Sequence, residues 1–501
     1  MNRRRFLRDL LSGAAALACT PALLRAATGN DVATGFATGL RRHPWMAGWK
    51  NMDAESLGPT AATLRGRWPK GLAGTLYRNG PARFERDGFR YSHWFDGDGM
   101  VHAWRVGERG VSHRARMVAT PKYTREQAAG RFLYPAVGTT VPDARAIRNN
   151  DDANVANTSV AVIGGRLFAL WEGGSAFELE PDSLVTRGPT TWREDLALAP
   201  FSAHPLRDRD GSWWNFGSIS LLGGAGLLVW HLGADGRLLG ATQLATEQHG
   251  YLHSFAMTDR HLVFMLMPFR FSEAGAFFER MHFAPDLPCR VAVVPKSAPD
   301  TARWFDVDFA AVYHFGDAFE RDGEIHVRAV RHTDPAGASS PMAATMRGER
   351  EPAPTSGQLR TLRLDLRSGR ARWQTHADHV MEFPLFDPRT PGDRPARLYA
   401  PTAVTPDVPY FNAVMSFDPE RDRRQLHRYG DRVLAEEHVF VPRPGSRKPG
   451  QGWLVGTLLD ADRGRSGLAV LDAEHVDDGP LAEAWLPYTF PLGFHGAFAG
   501  V

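Results

Sequence analysis

Four histidines stand in unusual surroundings, flanked by apolar residues or by glycine: His204 in FSAHPLRD, His253 in YLHSFAMT, His314 in AVYHFGDAFE and His495 in PLGFHGAFAG. They are separated by 49, 61 and 181 residues, which excludes a compact local motif such as His-x-x-x-His. The spacing is compatible with one histidine from each of four structural repeats, all directed at a central axis where imidazoles could bind a transition metal. Because the chain has 19 histidines, surface or satisfied core positions remain the alternative at this point.

A second stretch with chemical potential is HWFDGDGM at residues 93–100, where Asp96 and Asp98 are spaced Asp-x-Asp. A calcium loop would need further oxygen ligands at regular spacing, and the VHAW that follows supplies no such side chains. The sequence therefore favours a hairpin turn, with Gly97 and Gly99 in backbone conformations that other residues avoid.

Composition sets the broad class of the protein. Its 501 residues are 43% hydrophobic and 23% charged, and 50 Gly and 35 Pro favour short strands and turns over long helices. The formal net charge of +3 becomes −1 without residues 1–27, which hold five Arg and one Asp. We find no basic arm or stripe of the kind that nucleic-acid binding requires, so nucleic acid is not an expected partner.

The N-terminal residues 1–27 are typical of an export signal. A charged start, MNRRRFLRD, is followed by LLSGAAALACTPALL, a 15-residue mostly apolar stretch too short to span a membrane comfortably. Paired arginines directly before Phe6-Leu7 resemble the twin-arginine signal, which exports proteins already folded. We therefore expect a periplasmic protein in which residues 28–501 form a single catalytic domain. Only Cys289 would remain after removal of the signal, so no intrachain disulfide is expected.

Short apolar or alternating runs, separated by turn signals, recur along the chain at 159–172, 227–244, 261–269, 358–376 and 452–475. Pairs of runs joined by GG, ADG, SG or GRS predict β-hairpins. A chain of this size built from successive antiparallel hairpins needs closure to remove its sheet edges, and a β-propeller provides it by radial repetition of four-stranded blades. The pattern therefore predicts an all-β propeller, although the repeat is too weak for the blades to be counted.

Two stretches break the strand pattern. Residues 120–130, TPKYTREQAAG, are polar and helix-prone. Residues 269–288 contain five Phe and a Met without strand alternation. This second stretch is interpreted either as a loop packed on the core or as an apolar cap that admits an apolar substrate or makes a peripheral contact with a membrane.

Several blocks of the chain, in order, resemble the carotenoid cleavage oxygenase family. The resemblance begins near residue 45 and continues to the end of the chain. It is carried by GTLYRNGPARFERDGFRYSHWFDGDGMVHAW (74–104), ANTSVAVIGGRLFALWEGGSAFELEPDSL (156–184), the SAHP, LHSFAMT and YHFGDAFE stretches, MEFPLFD (381–387), EEHVFVPRPG (436–445) and the terminal GFHG.

The resemblance implies a fold and a cofactor. The fold is a seven-bladed β-propeller with loops and short helices over its top face, and the cofactor is one Fe(2+) on the axis. Neutral imidazoles suit a divalent first-row ion and leave room for O2 and an alkene. The positions that match the family's four iron ligands are His204, His253, His314 and His495.

Three glutamates match the family residues that accept the outer N–H of the ligating histidines: Glu172 in LWEGG, Glu382 in MEFP and Glu437 in EHVFVP. Glu436 precedes the third of these, but the register of the following residues favours Glu437. Thr158, in NTSV, matches a threonine that in some relatives lies beside the metal; a plain strand threonine is the alternative.

Members of the family mostly cleave a conjugated C=C bond with O2 to give two carbonyl products. Stilbene-cleaving members typically carry a Lys directly before the first of the three glutamates, where this chain has Trp171. An aromatic wall packs well against a polyene but cannot donate to a phenolate as an ammonium does. We therefore predict a dioxygenase acting on a carotenoid or apocarotenoid. The alternatives are a stilbenoid-cleaving dioxygenase, a non-catalytic polyene- or lipid-binding propeller, and an isomerase or hydrolase on the same site.

Overall fold

The computed structural model of the protein describes residues 29–218, 226–246, 249–332, 340–350, 357–405 and 410–500. The predicted export signal, residues 1–27, lies outside the described residues. Strands dominate the described part, in agreement with the recurring hairpin signals. Its few helices are short: α-helices at Gly29–Arg42, Pro121–Ala129, Phe277–Arg280 and Ser340–Met346, and 3-10 helices at Pro44–Trp49, Trp94–Asp96, Asn150–Asp152, Glu194–Leu196 and Val476–Asp478.

Seven antiparallel sheets of four or five strands form the blades of a propeller. The predicted all-β, seven-bladed fold is thereby confirmed. In hydrogen-bonded order, blade 1 contains Gly496–Gly500, Gly74–Arg83, Asp98–Gly107, Gly110–Met117 and Ser56–Ala61; blade 2 contains Ser159–Ile163, Arg166–Leu170, Phe177–Leu179 and Thr186–Pro189; and blade 3 contains Leu206–Arg207, Trp213–Ser218, Leu227–Leu232 and Leu238–Leu244.

The remaining four blades follow the same arrangement. In the same order, blade 4 contains Ala256–Met257, His261–Leu266, Cys289–Pro295 and Arg303–Val307; blade 5 contains Ala311–Arg321, Glu324–His332, Gln358–Asp365 and Ala371–Val380; blade 6 contains Leu385–Phe386, Leu398–Thr402, Ala413–Asp418 and Arg423–Arg428; and blade 7 contains Val433–Pro442, Gly452–Asp460, Arg465–Asp472, Pro480–Trp485 and Thr63–Gly66.

Apolar side chains pack between every pair of neighbouring blades. Seven clusters of buried residues each join two successive sheets, and together they complete the ring from blade 1 to blade 7 and back to blade 1. Strand alternation produces this arrangement: Leu454 packs towards blade 6, whereas the next residue, Val455, packs towards blade 1. Middle strands of the blades are buried on both faces, so they read as nearly continuous apolar runs, as in Gly452–Asp460.

Both ends of the chain close the ring. Ser56–Ala61 is the outer strand of blade 1 and Thr63–Gly66 is the outer strand of blade 7. The C-terminal strand Gly496–Gly500 pairs with Gly74–Arg83 at the opposite edge of blade 1. Blades 1 and 7 are therefore held by segments from both ends of the sequence, which removes the open edges that a linear array of sheets would expose.

The two stretches that break the strand pattern lie outside the blades. The helix-prone residues 120–130 contain the helix Pro121–Ala129. Residues 269–288 contain a small hairpin, Phe269–Phe271 paired with Met281–Phe283, that encloses the short helix Phe277–Arg280. None of the helices in the described part is long and apolar enough to cross a membrane.

The HWFDGDGM stretch differs from the predicted hairpin turn. Trp94–Asp96 forms a 3-10 helix and the next strand begins at Asp98. Gly97 has a φ of −64°, and Gly99 also avoids the left-handed region, so the prediction of special backbone angles is wrong. Space explains the second glycine instead, because a Cβ there would lie 2.2 Å from the carbonyl oxygen of Ala156.

The two aspartates of this stretch are buried and paired within the protein. Asp96 accepts a hydrogen bond from the Thr139 hydroxyl at 2.5 Å. Asp98 lies 3.2 Å from the guanidinium of Arg86 and 2.8 Å from the ammonium of Lys122. Both carboxylates therefore fix the start of the blade 1 strand Asp98–Gly107.

Candidate metal centre

The four predicted histidines come from four different blades, as their spacing suggested. His204, His253 and His314 lie at or just before the first strands of blades 3, 4 and 5, and His495 directly precedes the C-terminal strand of blade 1. Their imidazoles converge, so these strand edges lie at the centre of the ring. The four side chains each offer a nitrogen, and these nitrogens all lie within 4.8 Å of one another.

The geometry of the cluster is one that could hold a metal ion. The Nε2 atoms of His204 and His253 are 2.8 Å apart, and those of His314 and His495 are 3.2 Å apart. The rings of neighbouring histidines meet edge to face, with interplanar angles from 62° to 86°. At these distances the four nitrogens surround a single point, where one ion could contact all of them. Imidazole ligands favour a divalent first-row transition metal at such a point.

Burial keeps the imidazoles of His204 and His314 neutral. It lowers the pKa of His204 well below the usual value of 6.5, and the three neighbouring histidines lower it further. Burial also lowers the pKa of His314 to about 4, although the Glu382 carboxylate opposes the shift. A neutral imidazole retains the lone pair that a metal requires.

The predicted glutamate Glu382 binds the outer side of His314. The Nδ1–H of His314 donates to one carboxylate oxygen at 2.6 Å, and the Nε2 of His332 lies 2.7 Å from the other. Burial opposes ionisation of Glu382, but the two histidines outweigh it and hold its pKa well below the usual range. The bond fixes the His314 tautomer with its Nε2 lone pair towards the cluster.

Glu437 makes the same contact with His495. Its Oε1 lies 3.0 Å from the Nδ1 of His495, and its Oε2 accepts from the backbone N–H of Gly496 at 2.8 Å. Arg78, which is fully buried, lies 3.4 Å from the same carboxylate. Burial raises the pKa of Glu437, and His495 and Arg78 more than reverse the effect, so the net shift is downward.

Glu172 lies next to His253 at a longer distance. Its Oε2 is 3.6 Å from the His253 Nδ1, and it accepts a hydrogen bond from the Tyr251 hydroxyl at 3.2 Å. Burial, and then the Glu172 charge, raise the pKa of Tyr251 well above 10, so the hydroxyl stays protonated and donates. Each of the three predicted glutamates therefore lies against the outer nitrogen of a different histidine.

Thr158 is anchored beside His495. Its carbonyl oxygen accepts from the His495 backbone N–H at 3.3 Å, and its hydroxyl donates to the side chain of Asn157 at 3.0 Å. It precedes the first strand of blade 2 and lines the same cavity as the histidines.

Sequence reasoning missed the residues that hold the three glutamates: Tyr251 on Glu172, His332 on Glu382 and Arg78 on Glu437. Tyr251 is two residues from His253, and Arg78 lies in the GTLYRNGP block that carries the resemblance. His332 stands at the end of an ordinary strand of blade 5, and no local signal distinguishes it from other histidines.

Three of the four histidines, His253, His314 and His495, line an apolar cavity of about 590 Å³. A continuous series of aromatic rings forms one wall, with centroids of successive rings 4.6 to 6.0 Å apart. In order from the closed end, the rings that line the cavity are Trp49, Trp94, Phe494, Phe95, Phe278 and Phe277. The first ring, Trp49, is 4% exposed, whereas the last, Phe277, contacts the 45% exposed Phe271, so the wall runs from a closed end towards the surface.

Comparison with known proteins identifies the family. A family model described as Retinal pigment epithelial membrane protein matches residues 49–500. Apocarotenoid-15,15'-oxygenase of Synechocystis is 30% identical over 479 residues, covering 91% of this chain and 96% of that protein. Lignostilbene-α,β-dioxygenase isozyme III of Sphingomonas paucimobilis is 27% identical over 87% of this chain and 93% of its own length.

Solved structures agree with the sequence comparison. The crystal structure of cobalt-substituted Synechocystis apocarotenoid oxygenase superposes with a TM-score of 0.82 at 28% identity, covering 91% of this chain and 98% of that one. The fold, the order of the motifs and the extent of the match all coincide. The chain therefore belongs to the retinal pigment epithelial membrane protein family, the carotenoid cleavage oxygenases that its sequence resembles.

Proposed function

We propose that the protein is a non-haem Fe(2+) dioxygenase that uses O2 to cleave a conjugated C=C bond of a carotenoid or apocarotenoid into two aldehyde or ketone products. One observation carries the proposal: four imidazoles converge, and three of them line an apolar cavity with an aromatic wall. Such a cavity excludes water and matches the length and polarizability of a polyene. A relative at 30% identity is named as an oxygenase of apocarotenoids.

In this proposal the four histidines hold the iron through the nitrogens that face one another. Iron supplies the O2 chemistry that amino-acid side chains lack. Glu382, Glu437 and Glu172 fix the imidazole tautomers, because each accepts from or lies against an outer nitrogen. Thr158 lines the space next to His495 and restricts it.

The other residues act on the substrate. Trp171 lines the cavity beside Glu172, and the rings of the aromatic wall line the same cavity. Rings at these distances pack on a polyene and orient one double bond over the metal centre. Exclusion of water then protects the reacting groups from side reactions.

The test is a cleavage assay on a defined panel. Protein loaded with Fe(2+) under anaerobic conditions is mixed with carotenoids, apocarotenals and hydroxylated stilbenes, exposed to ¹⁸O2, and the products are identified by mass spectrometry. We expect two labelled carbonyl products from an apocarotenoid. Label in neither product would instead identify an isomerase or hydrolase, and binding without turnover would identify a polyene-binding protein.

A stilbenoid substrate is the second candidate. The relatives include the lignostilbene dioxygenase and, at 26% identity, isoeugenol monooxygenase of Pseudomonas nitroreducens. Trp171 argues against it, since an indole cannot hold a phenolate as the Lys of stilbene-cleaving members does. Faster turnover of hydroxylated stilbenes than of every apocarotenoid in the panel would establish this candidate and remove the first.

We also propose a peripheral membrane contact through the hairpin at residues 269–283 and the residues after it. Phe271, which contacts the Phe277 ring of the aromatic wall, is 45% exposed, and Leu287 is 40% exposed. Flotation with phospholipid vesicles should show binding that a Phe271→Ser/Leu287→Ser variant loses. Leu239→Ser removes a similarly exposed side chain on the outer strand of blade 3 and should leave binding unchanged. Equal flotation of all three proteins would refute the contact.

The proposed location is the periplasm, reached through the twin-arginine route in the folded state. Because the metal centre is assembled from four blades, iron could be inserted before export only in a folded chain. Fractionation of cells that express the whole chain should find the protein in the periplasm. Arg4→Lys/Arg5→Lys should retain it in the cytoplasm, and an unchanged distribution would contradict the proposal.

A further inference from the structure

Glu436 is an acid of the cavity wall that stands between the apolar Leu434 and Ala435 and the acid Glu437. It is 7% exposed, and Leu434 and Ala435 before it line the same cavity. Leu434 belongs to an apolar cluster with Trp49 and Leu492 at the closed end. Glu436 therefore lies between the metal centre and the closed end of the cavity.

The two adjacent acids Glu436 and Glu437 have different surroundings. A β-bulge interrupts the register between Ala435 and His438, so both side chains point to the interior. Glu437 is fully engaged with His495, Gly496 and Arg78, as described above. Glu436 uses only its Oε1, which accepts from the backbone N–H of Gly493. Within the described residues, no donor and no cationic side chain lies on its Oε2.

Glu436 is largely buried and lines the cavity, so a carboxylate oxygen that receives no hydrogen bond from the protein is available to a donor on the substrate. We propose that Glu436 is a specificity-determining residue whose Oε2 accepts a hydrogen bond from a hydroxyl group of the substrate. In the bound substrate, this hydroxyl lies on the part that extends beyond the metal centre towards Trp49, at the closed end of the cavity. The inference rests on the proposed function and narrows its substrate class to conjugated alkenes that carry an O–H group.

Substrate end groups without an O–H group fit poorly next to Glu436. An aldehyde or a methyl ether offers no proton to the carboxylate, and a carboxylate end group would repel it. A site that hydrogen-bonds a substrate hydroxyl strongly rejects an analogue without that hydroxyl. An apolar pocket discriminates much less against an analogue that carries an additional hydroxyl. Both an alcohol-ended apocarotenoid and a hydroxylated stilbene supply the required group, and separate arms of the experiment distinguish them.

A purely structural role is the competing explanation. The bond from Gly493 to Glu436 holds the loop that carries His495 two residues later. Loss of this bond would disturb the metal centre and would lower turnover of every substrate by the same factor.

Glu436→Gln separates the two explanations. Its amide oxygen retains the acceptor for Gly493, and its NH2 group places a donor where the carboxylate had an acceptor. The substrates are two matched pairs: an apocarotenoid ending in an alcohol and the same apocarotenoid ending in an aldehyde, and a hydroxylated stilbene and its methyl ether. Binding is measured by quenching of tryptophan fluorescence in protein loaded with Zn(2+), and kcat and KM are measured with Fe(2+).

We expect the unmodified protein to prefer the hydroxyl member of a pair by about ten- to a hundred-fold in Kd, the range for a hydrogen bond to a charged group. Glu436→Gln should abolish or reverse this preference through KM while its zinc content stays the same. The pair that shows the effect identifies the source of the hydroxyl. Leu434→Ala is the control: it changes the shape of the wall without changing its polarity, so both members of a pair should respond equally.

Two results would overturn the inference. One is an equal loss for both members of every pair in Glu436→Gln, which would assign the residue to the His495 loop. The other is equal affinity of the unmodified protein for the two members. The proposed function fails separately, if Fe(2+)-loaded protein cleaves none of the panel, because the zinc-loaded binding assay still reports the hydroxyl preference.

Discussion

At the scale of single residues, the three outer glutamates are held by three different donors. The neutral hydroxyl of Tyr251 contacts Glu172, and the imidazole of His332 contacts Glu382. The permanently charged guanidinium of Arg78 contacts Glu437. Each donor keeps a buried carboxylate ionised or oriented so that it accepts from a ligand histidine. The metal centre therefore extends one layer beyond the groups that would touch the metal.

His253→Ala should remove bound iron and abolish cleavage, because the site then loses one of its four convergent nitrogens, and the cluster found among the described residues contains no fifth ligand. Metal content by atomic emission, measured after anaerobic loading and desalting, checks this result. His475→Ala, at an exposed histidine, should leave iron content unchanged. Full iron occupancy in His253→Ala would contradict the assignment of the ligands.

Glu382→Gln should lower iron affinity or turnover by about ten- to a hundred-fold, the usual effect of losing an acceptor on a ligand histidine. The amide can no longer accept two strong bonds from His314 and His332 at once. Competition with a metal chelator measures the affinity. An unchanged dissociation constant together with unchanged kcat would show that the His314 tautomer needs no carboxylate.

Stability should fall as the pH is lowered below the usual histidine pKa. Burial lowers the pKa of His113 to about 3, and that of His102 well below 6.5, so the folded protein keeps both neutral. The unfolded chain binds protons near pH 6.5, and the free energy of unfolding then decreases as pH falls, by about 1.4 kcal/mol per pH unit for each such group.

Urea denaturation between pH 7.5 and pH 4.5 measures this dependence. His113→Asn removes one titrating group and should give a shallower loss of stability with falling pH. His475→Asn, at an exposed position, should keep the slope of the unmodified protein. Identical slopes in His113→Asn and the unmodified protein would contradict the argument.

At the scale of elements, the first strand of each blade positions the chemistry. Blades 1, 3, 4 and 5 supply the histidines, and blades 2, 6 and 7 supply Thr158, Glu382 and Glu437 at or next to their first strands. Each strand or strand entry is fixed by the apolar packing between blades rather than by local propensity. The positions of the site residues therefore depend on the backbone positions where these first strands begin.

Gly99→Ala tests this dependence. Its Cβ would collide with the carbonyl oxygen of Ala156 at the entry to the blade 2 strand beside Thr158, so the backbone must shift. We expect a loss of about 1 to 3 kcal/mol in unfolding free energy, as for other overpacked positions, and a fall in kcat. Gly240→Ala is the matched control, since a Cβ there meets nothing within 4 Å. Equal stability of the two variants would refute the argument.

At the scale of the whole molecule, closure of the ring determines stability. The C-terminal strand pairs with residues 74–78 and places His495 at the centre at the same time. Removal of residues 496–501 should lower Tm markedly and cause aggregation, because the edge of the strand at 74–83 would be left unpaired. Thermal unfolding followed by circular dichroism and size-exclusion chromatography measures both effects. Removal of residue 501 alone is the control and should leave Tm unchanged; equal Tm in the two truncations would disprove the role of the strand.

The sequence by itself determined the fold class and the family, because hairpin signals and ordered motifs are local and survive in a single chain. The number of blades came from the family resemblance, and the assignment of four histidines and three glutamates to a metal site stays a prediction. The sequence did not predict the backbone angles of the HWFDGDGM stretch, where the space left by Ala156 rather than turn geometry requires a glycine at position 99.

Only the tertiary structure decided which atoms meet. Arg78 and Glu437 are 359 residues apart in sequence, and His332 and Glu382 are 50 apart, yet each pair is in contact. Such pairs form because ring closure, together with the bulge between Ala435 and His438, brings the edges of distant strands to one axis. The local periodicity of the sequence does not predict this arrangement. The cavity, its closed end and the open acceptor on Glu436 follow from that packing alone.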